Sequence, residues 1–284
     1  MILVYQMAKV ASRSWLAAAS GLGTGEDTVH VHFLREENLE RIAAALAVPP
    51  PRQTVANMVL PRNLGDNGRR SRQKLADARL RREPIRIICG MRDPVARSVS
   101  LLIFMAYFYG HQQRPLNPRS QMDPAYVIAT LEQLWLRVLE NEEPKDSFDW
   151  LTWFIAGAYR WWFENELRPS LGFDIYAEPF EPANGAQFQS FGDAQLLAYR
   201  VEDMSTGAAS GPALLASASR FLDAPIELPV ANAASGRRSR ELHTRVLGGF
   251  RLPRDRLDQI YDCASVRHFY SESEIAAFKL RWAG

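Results

Sequence analysis

Short apolar runs alternate along this chain with segments whose apolar residues recur at helical spacing. Ile2 to Met7 is a run of strand formers, followed by a Lys/Ser/Arg turn and the helix-favouring Trp15-Leu16-Ala17-Ala18-Ala19. Val29-His30-Val31-His32-Phe33 places β-branched residues alternately with histidines and predicts a second strand. Glu36 to Val48 sets Leu39, Ile42, Ala43 and Leu46 on one face of a helix that Pro49-Pro50-Pro51 ends. Ile85 to Met91 is nearly continuous in apolar residues, the pattern of a strand covered on both faces of a parallel sheet. Asp93 as N-cap and Pro94 at the first helical position then predict a helix over Val95 to Phe108, starting directly after Arg92.

Beyond it, Asp123-Pro124 opens a helix with Val127, Leu131, Leu134, Trp135 and Val138 at helical spacing, and another runs from Asp149 to Leu167. Together they predict a helical insertion over about 109–168. Gly172 closes the second of these helices. Phe173-Asp174-Ile175-Tyr176-Ala177 and Leu196 to Val201 read as strands, and Gly211 to Leu222 as a helix. Ser271-Glu272-Ser273-Glu274 is a capping-box pattern ahead of Ile275 to Trp282. No internal repeat is visible. The alternation predicts an α/β fold, a parallel sheet flanked by helices, with any ligand outside the carboxyl ends of the strands. At 284 residues the expectation is one large domain spanning 1–284, with two domains as the alternative.

Composition narrows the function classes. With 47% hydrophobic and 23% charged residues the chain can bury a sizeable core, which excludes global disorder and a fibrous repeat. A formal charge of +2 is too balanced for a whole-chain grip on nucleic acid, so no nucleic-acid partner is expected and local patches must carry any anion recognition. Between Arg62 and Arg82 eight basic residues face only Asp66 and Asp77, which reads as a solvated loop and helix face. Cys89 and Cys263 cannot build a disulfide framework or a four-ligand zinc site, so a reducing, cytoplasmic setting is expected. Met1 to Met7 lacks the features of a secretion signal, and the apolar stretch Val99 to Gly110 is too short for a membrane span. Peripheral association with a membrane stays open. Gly21, Gly23 and Gly25 do not make a dinucleotide fingerprint.

Two strand-to-helix turns carry the chemistry. The first, Gln6 to Trp15, brings Lys9, Ser12, Arg13 and Ser14 to the free N–H groups of a starting helix, a combination that suits a phosphate or sulfate. It is not a Walker A sequence, which removes support for ATP or GTP hydrolysis. A basic surface turn with ordinary capping serines is the alternative. The second turn, Arg92 to Ser100, sets a guanidinium at the end of a buried strand, where it can fork onto a second phosphate or pair with Asp93 or Glu83.

Taken together, these turns resemble the two cofactor loops of sulfotransferases that use 3′-phosphoadenosine 5′-phosphosulfate (PAPS). In that family a Pro-Lys-x-Gly-Thr/Ser-Thr/Ser loop holds the 5′-phosphosulfate, and Arg-x-Pro with a Ser eight residues after the Arg holds the 3′-phosphate. Lys9, Ser12 and Arg13 fall on the first pattern, and Arg92, Pro94 and Ser100 on the second. Ala8 stands where Pro is usual, Ala11 where Gly is usual, and Arg13 where a hydroxyl is usual. The chain is also similar to bacterial sulfotransferase-like proteins described as capsular polysaccharide synthesis proteins. Residues 161–167, Gly172 to Tyr176, Pro179-Phe180, Tyr199 to Met204, Ile260 to Asp262 and His268 to Ser271 carry that likeness.

The resemblance implies a P-loop-like fold and sulfuryl transfer from PAPS to a hydroxyl of a carbohydrate, in a polysaccharide or glycolipid, with no metal required. It gives Lys9, Ala11, Ser12, Arg13 and Ser14 to the 5′-phosphosulfate, Lys9 also to the leaving group, and Arg92 and Ser100 to the 3′-phosphate. Arg237, with Arg238, matches the basic loop that closes over the 3′-phosphate in relatives. Sulfuryl transfer needs a base, and His32, at the end of the second strand where relatives often keep a His, takes that role with His30 as substitute. Both histidines could equally be strand residues satisfied by hydrogen bonds, since some relatives use a carboxylate.

Other readings remain beside these. Glu202 and Asp203 read as structural, capping a segment or orienting a basic side chain. Trp15 could stack on adenine or sit in the core, and the Trp150, Trp153, Trp161 and Trp162 set could bind sugar rings, rest on a membrane or pack inside. His268 reads as packing. Two alternatives to the sulfotransferase share the scaffold: another transferase using a nucleoside triphosphate with Mg²⁺, and a non-catalytic nucleotide-binding subunit of a polysaccharide assembly system.

Overall fold

The computed structural model describes residues 1–23, 26–47, 64–110, 123–141, 147–204, 208–229 and 240–284. The chain forms an α/β structure around a five-stranded, mostly parallel sheet flanked by helices. Contacts divide it into two compact units. The first comprises Met1–Leu39, Asn63–Arg92 and Trp161–Ala231, the second Glu40–Arg62, Asp93–Arg160 and Asn232–Gly284.

The first unit holds the sheet. Its strands are β1 (Ile2–Tyr5), β2 (Thr28–Val31), β3 (Ile85–Met91), β4 (Ala186–Phe191) and β5 (Ala194–Arg200), in the order β2-β1-β3-β5-β4. β1, β2, β3 and β5 run parallel, with Tyr5 opposite Val31, Val4 opposite Ile88 and Met91 opposite Arg200. The apolar run of β3 is buried almost throughout, as a central strand between two neighbours must be. On one face Ile2, Val4, Ile88, Leu197 and Tyr199 pack with Trp15 of α1 (Ser12–Ser20) and Leu214 and Phe221 of α9 (Gly211–Phe221). Helices α2 (Glu36–Ala47) and α3 (Leu64–Leu80) lie between β2 and β3 in the chain.

The basic run behaves as a solvated helix face. Arg69 and Arg72 pair with Glu36, Lys74 with Asp27, and Arg79 with Asp193, so its charge is largely matched locally.

One expected strand is absent. Phe173 to Ala177 is a turn, because the Asp174 carboxylate accepts the Tyr176 N–H at 3.1 Å and the Asp174 carbonyl accepts the Ala177 N–H at 3.1 Å. A strand the sequence reading did not anticipate replaces it: β4 pairs antiparallel with β5 through a turn at Gly192 and Asp193. The side-chain amides of Gln187 and Gln189 donate to the Ile175, Glu178 and Asp174 carbonyls, fixing the turn segment beside the strand.

The second unit is helical. It contains α4 (Pro94–Gly110), α5 (Pro124–Glu140), α6 (Ser147–Thr152), a π turn (Trp153–Gly157), most of α7 (Ala158–Trp162), and then α10 (Arg240–Gly249), α11 (Arg254–Tyr261), α12 (Ala264–Phe269) and α13 (Glu272–Trp282). Asp123 caps α5 and Ser271 with Glu274 makes the expected capping box on α13. A π turn widens the helix and frees carbonyls from their usual partners. Here the fully buried Arg97 guanidinium donates to the Phe154 and Ile155 carbonyls at 3.2 and 2.7 Å. A second π turn (Phe163–Leu167) leads into α8 (Arg168–Leu171) in the first unit, and Gly172 ends the run at φ 83°. Among the described residues no helix is long and apolar enough to cross a membrane.

Candidate functional site

The parallel register delivers three chain ends to one edge of the sheet. Lys9 lies four residues beyond Tyr5, His32 directly follows Val31, and Arg92 directly follows Met91. The loop after β1 has an unusual backbone. Lys9 and Ala11 both adopt left-handed conformations, at φ 69° and 62°, although neither is glycine. Such a conformation costs an L-residue roughly 1–2 kcal/mol. Alternating left- and right-handed residues turn successive N–H groups toward one concavity, a nest that receives anions. The N–H groups of Val10, Ala11 and Ser12 lie in this loop and at the start of the helix that follows it. Lys9 and Ala11 thus hold backbone conformations that glycine adopts most easily.

Two side chains hold the loop from below. The Tyr199 hydroxyl, from β5, hydrogen-bonds the Val10 carbonyl and the Gln6 side-chain oxygen, the latter at 2.9 Å. One Arg92 amino group donates to the Lys9 carbonyl at 3.2 Å, while Glu83 pairs with Arg81. These bonds engage the carbonyls of Lys9 and Val10 and so fix two successive peptides of the loop. Tyr199 can reach across because Gly90 of β3 stands opposite it; a Cβ there would lie 2.5 Å from the Tyr199 ring.

Helix α1 begins at this loop. Ala11 is its N-cap and provides no side-chain hydrogen bond, and no acidic residue occupies the first turn. The positive end of the helix is thus left without a carboxylate from its own sequence. Ser12 and Ser14 are buried, Lys9 is half-buried and Arg13 is exposed. Trp15 is fully buried and its ring packs 4.9 Å from Tyr199, so it belongs to the core and is not open to a purine.

The histidines are distinct. The His32 Nδ1 lies 2.6 Å from the Gln6 carbonyl, and since a carbonyl only accepts, Nδ1 carries a proton there; in the neutral ring the lone pair is then on Nε2. His30 meets His32 edge to face with ring centroids 4.6 Å apart. Burial, then the neighbouring His32 and the Arg13 charge, push the His30 pKa down to about 3. A group that resists protonation so strongly is a poor proton acceptor at neutral pH. The Arg13 effect also sets the start of α1 within electrostatic reach of the pair.

Lys9, Ala11, Ser12, Arg13, Ser14, His32 and Arg92 therefore all belong to the sheet-bearing unit and its carboxyl edge. Ser100 is half-buried on α4 in the second unit. Arg237 lies outside the described residues. Asp203 has the orienting role expected of it: it accepts two hydrogen bonds from the buried Arg200 guanidinium, at 2.8 and 2.7 Å. Of the four tryptophans near the π turns, Trp150, Trp153 and Trp162 are buried. Trp161 is only half-buried and stacks on Phe33, the residue after His32, at an interplanar angle of 11°. No group of three or more metal-ligating side chains occurs among the described residues.

Sequence reasoning missed Gln6, Tyr199 and Glu166. Each acts through a partner far away in the chain, and an apolar strand pattern reads Tyr199 simply as core. Comparison with known proteins found no matching protein family, no matching curated protein and no matching solved structure.

Proposed function

We propose that this protein is a PAPS-dependent sulfotransferase acting on a hydroxyl of a carbohydrate, in a polysaccharide or glycolipid, on a P-loop-like scaffold in the cytoplasm. The observation that carries the reading is the Lys9–Ser12 loop: two strained left-handed residues at the start of a helix without a side-chain cap or a first-turn acid. Strain of this kind persists where the surroundings over-determine it and clusters at ligand sites. The half-buried Trp161 beside Phe33 supports a sugar as acceptor, because an indole face suits the apolar face of a pyranose.

In this reading the Lys9 ammonium and the loop N–H groups bind the 5′-phosphosulfate. His32 Nε2 takes the proton of the acceptor hydroxyl as its oxygen forms a bond to sulfur and the bond from sulfur to the bridging oxygen breaks. The electron pair of that bond leaves on the 5′-phosphate, where Lys9 meets the growing charge. The products are a sulfate ester and 3′-phosphoadenosine 5′-phosphate, with the proton on His32. The proposal rests on residues of the sheet-bearing unit alone.

Calorimetric titration with 3′-phosphoadenosine 5′-phosphate, against AMP and against ATP with Mg²⁺, tests it. Binding of the bisphosphate that weakens at least about tenfold in Arg92→Ala, roughly 1.4 kcal/mol, is the expected result. No binding of the bisphosphate, or a clear preference for ATP with Mg²⁺, would remove the sulfotransferase reading.

A further inference from the structure

Glu166 is completely buried in the second π turn, and four donors converge on it. Its Oε1 accepts the Tyr5 hydroxyl at 2.5 Å, the Leu34 N–H, and the Arg35 N–H at 2.9 Å, and its Oε2 accepts the Asn38 side-chain amide. No lysine or arginine side chain is among these donors; the Arg35 guanidinium instead donates to the Asn165 carbonyl and pairs with Glu37. Burying a carboxylate without a cation is costly unless its lone pairs are filled, and here backbone and side-chain donors fill them.

The positions of those donors give the arrangement its meaning. Tyr5 ends β1 and precedes Gln6, whose carbonyl receives the His32 Nδ1 proton. Leu34 lies two residues beyond His32, on the chain leaving β2. One oxygen of Glu166 thus ties together the two chain ends that the His32–Gln6 hydrogen bond spans. From the same helical run the Trp162 indole N–H donates to the His32 carbonyl at 3.1 Å. A glutamine at 166 could still accept through its oxygen, but its amide nitrogen would face a donor at Asn38.

We propose that Glu166 is a positioning residue for His32: by fixing the ends of β1 and β2 it holds His32 in the tautomer whose Nε2 accepts a proton. The proposal rests on the reading of His32 as the base. Capping alone is the competing role, since Leu34, Arg35 and Asn38 open α2 and need acceptors whether or not His32 does any chemistry.

Long-range ¹H–¹⁵N correlation spectra separate the two roles, because they read the tautomer and titration of each of the five histidines directly. In wild type His32 should be in the Nδ1–H form. Tyr5→Phe, which removes the β1 tie and leaves the α2 donors in place, should lose that single form and shift the His32 titration, and Glu166→Gln should do the same more strongly. Asn38→Ala, which removes the donor to Oε2 and to the Asn165 carbonyl but leaves Oε1 and its donors in place, should leave both at wild-type values. If Tyr5→Phe leaves the His32 tautomer and titration unchanged, Glu166 is a cap only and the proposal is overturned, even where Glu166→Gln fails to fold. A His32 signal that moves as expected in a protein that does not bind 3′-phosphoadenosine 5′-phosphate would keep the positioning role and discard the sulfotransferase reading.

Discussion

The Trp282 indole N–H donates to Asp93 Oδ2 at 2.8 Å, joining residues 189 positions apart within the helical unit. The other oxygen of Asp93 accepts the Val95 N–H at 3.0 Å, as the N-cap of α4, and the Tyr261 hydroxyl at 2.6 Å. One carboxylate, 1% exposed, therefore caps α4 and fastens α11 and α13 to it. Asp93→Ala would leave two buried donors unsatisfied as well as remove the cap. A loss of about 3 kcal/mol or more is expected, whereas Trp282→Phe, which removes one donor with its bond, should cost about 1–2 kcal/mol. Urea unfolding of the two variants checks the ordering; equal losses would show that the indole packing, not the carboxylate, governs this corner.

Ala11 tests the strain in the anion loop. At φ 62° and ψ 25° its Cβ works against the backbone, and glycine would not. Ala11→Gly should gain about 0.5–1 kcal/mol, the relief being reduced by the extra freedom of glycine in the unfolded chain. Binding of 3′-phosphoadenosine 5′-phosphate should be retained, because the loop keeps its shape. Ala11→Val should move stability the other way. A destabilised Ala11→Gly protein, read in the same urea titration, would contradict a left-handed Ala11.

How much of this was legible in the sequence depended on the range of the interaction. The Ile85–Met91 strand, the Asp93 and Asp123 caps and the Ser271–Glu274 box are local devices, and the structure has them where the pattern predicts. Phe173 to Ala177 alternates like a strand, yet Asp174 bends it. The real strand, Ala186-Gln187-Phe188-Gln189-Ser190-Phe191, has no β-branched residue to announce it. Lys9, His32 and Arg92 could be picked out because each follows the end of an apolar run. Glu166 and Tyr199 could not, since their partners Tyr5 and Gln6 lie 161 and 193 positions away.

His30 gives the protein a dependence on pH with a definite sign. Its folded-state pKa of about 3 lies below the unfolded value of 6.5, so the unfolded chain binds the proton more readily. The stability that depends on neutral His30 is complete above pH 6.5 and is lost as pH falls toward 3, with a slope of at most about 1.4 kcal/mol per pH unit. Burial raises the pKa of Glu166, which acts in the opposite sense: its folded form takes up a proton before the unfolded chain does, so this group favours folding as pH falls. Comparing wild type with His30→Asn isolates the first effect. The variant should gain on wild type steadily between pH 6.5 and 4; parallel stability curves would mean that His30 protonates without penalty.

The contact between Gly90 and Tyr199 links the sheet to the anion loop, and two substitutions separate its parts. Tyr199→Phe removes only the hydroxyl that engages Val10 and Gln6, in a core position that otherwise keeps its packing. A loss of about 1–3 kcal/mol is expected, since the Val10 carbonyl and the Gln6 oxygen are left buried without that donor. Gly90→Ala keeps the hydroxyl but sets a methyl group 2.5 Å from the ring, forcing Tyr199 away from β3 at an overpacking cost of about 1–3 kcal/mol. If the hydroxyl holds the loop in its anion-binding shape, both variants should weaken binding of 3′-phosphoadenosine 5′-phosphate, since the strained Lys9 and Ala11 conformations then lose their support from below. Calorimetry on the two folded variants decides it. Wild-type affinity in Tyr199→Phe would mean that Arg92 alone is sufficient to hold the loop, through its hydrogen bond to the Lys9 carbonyl.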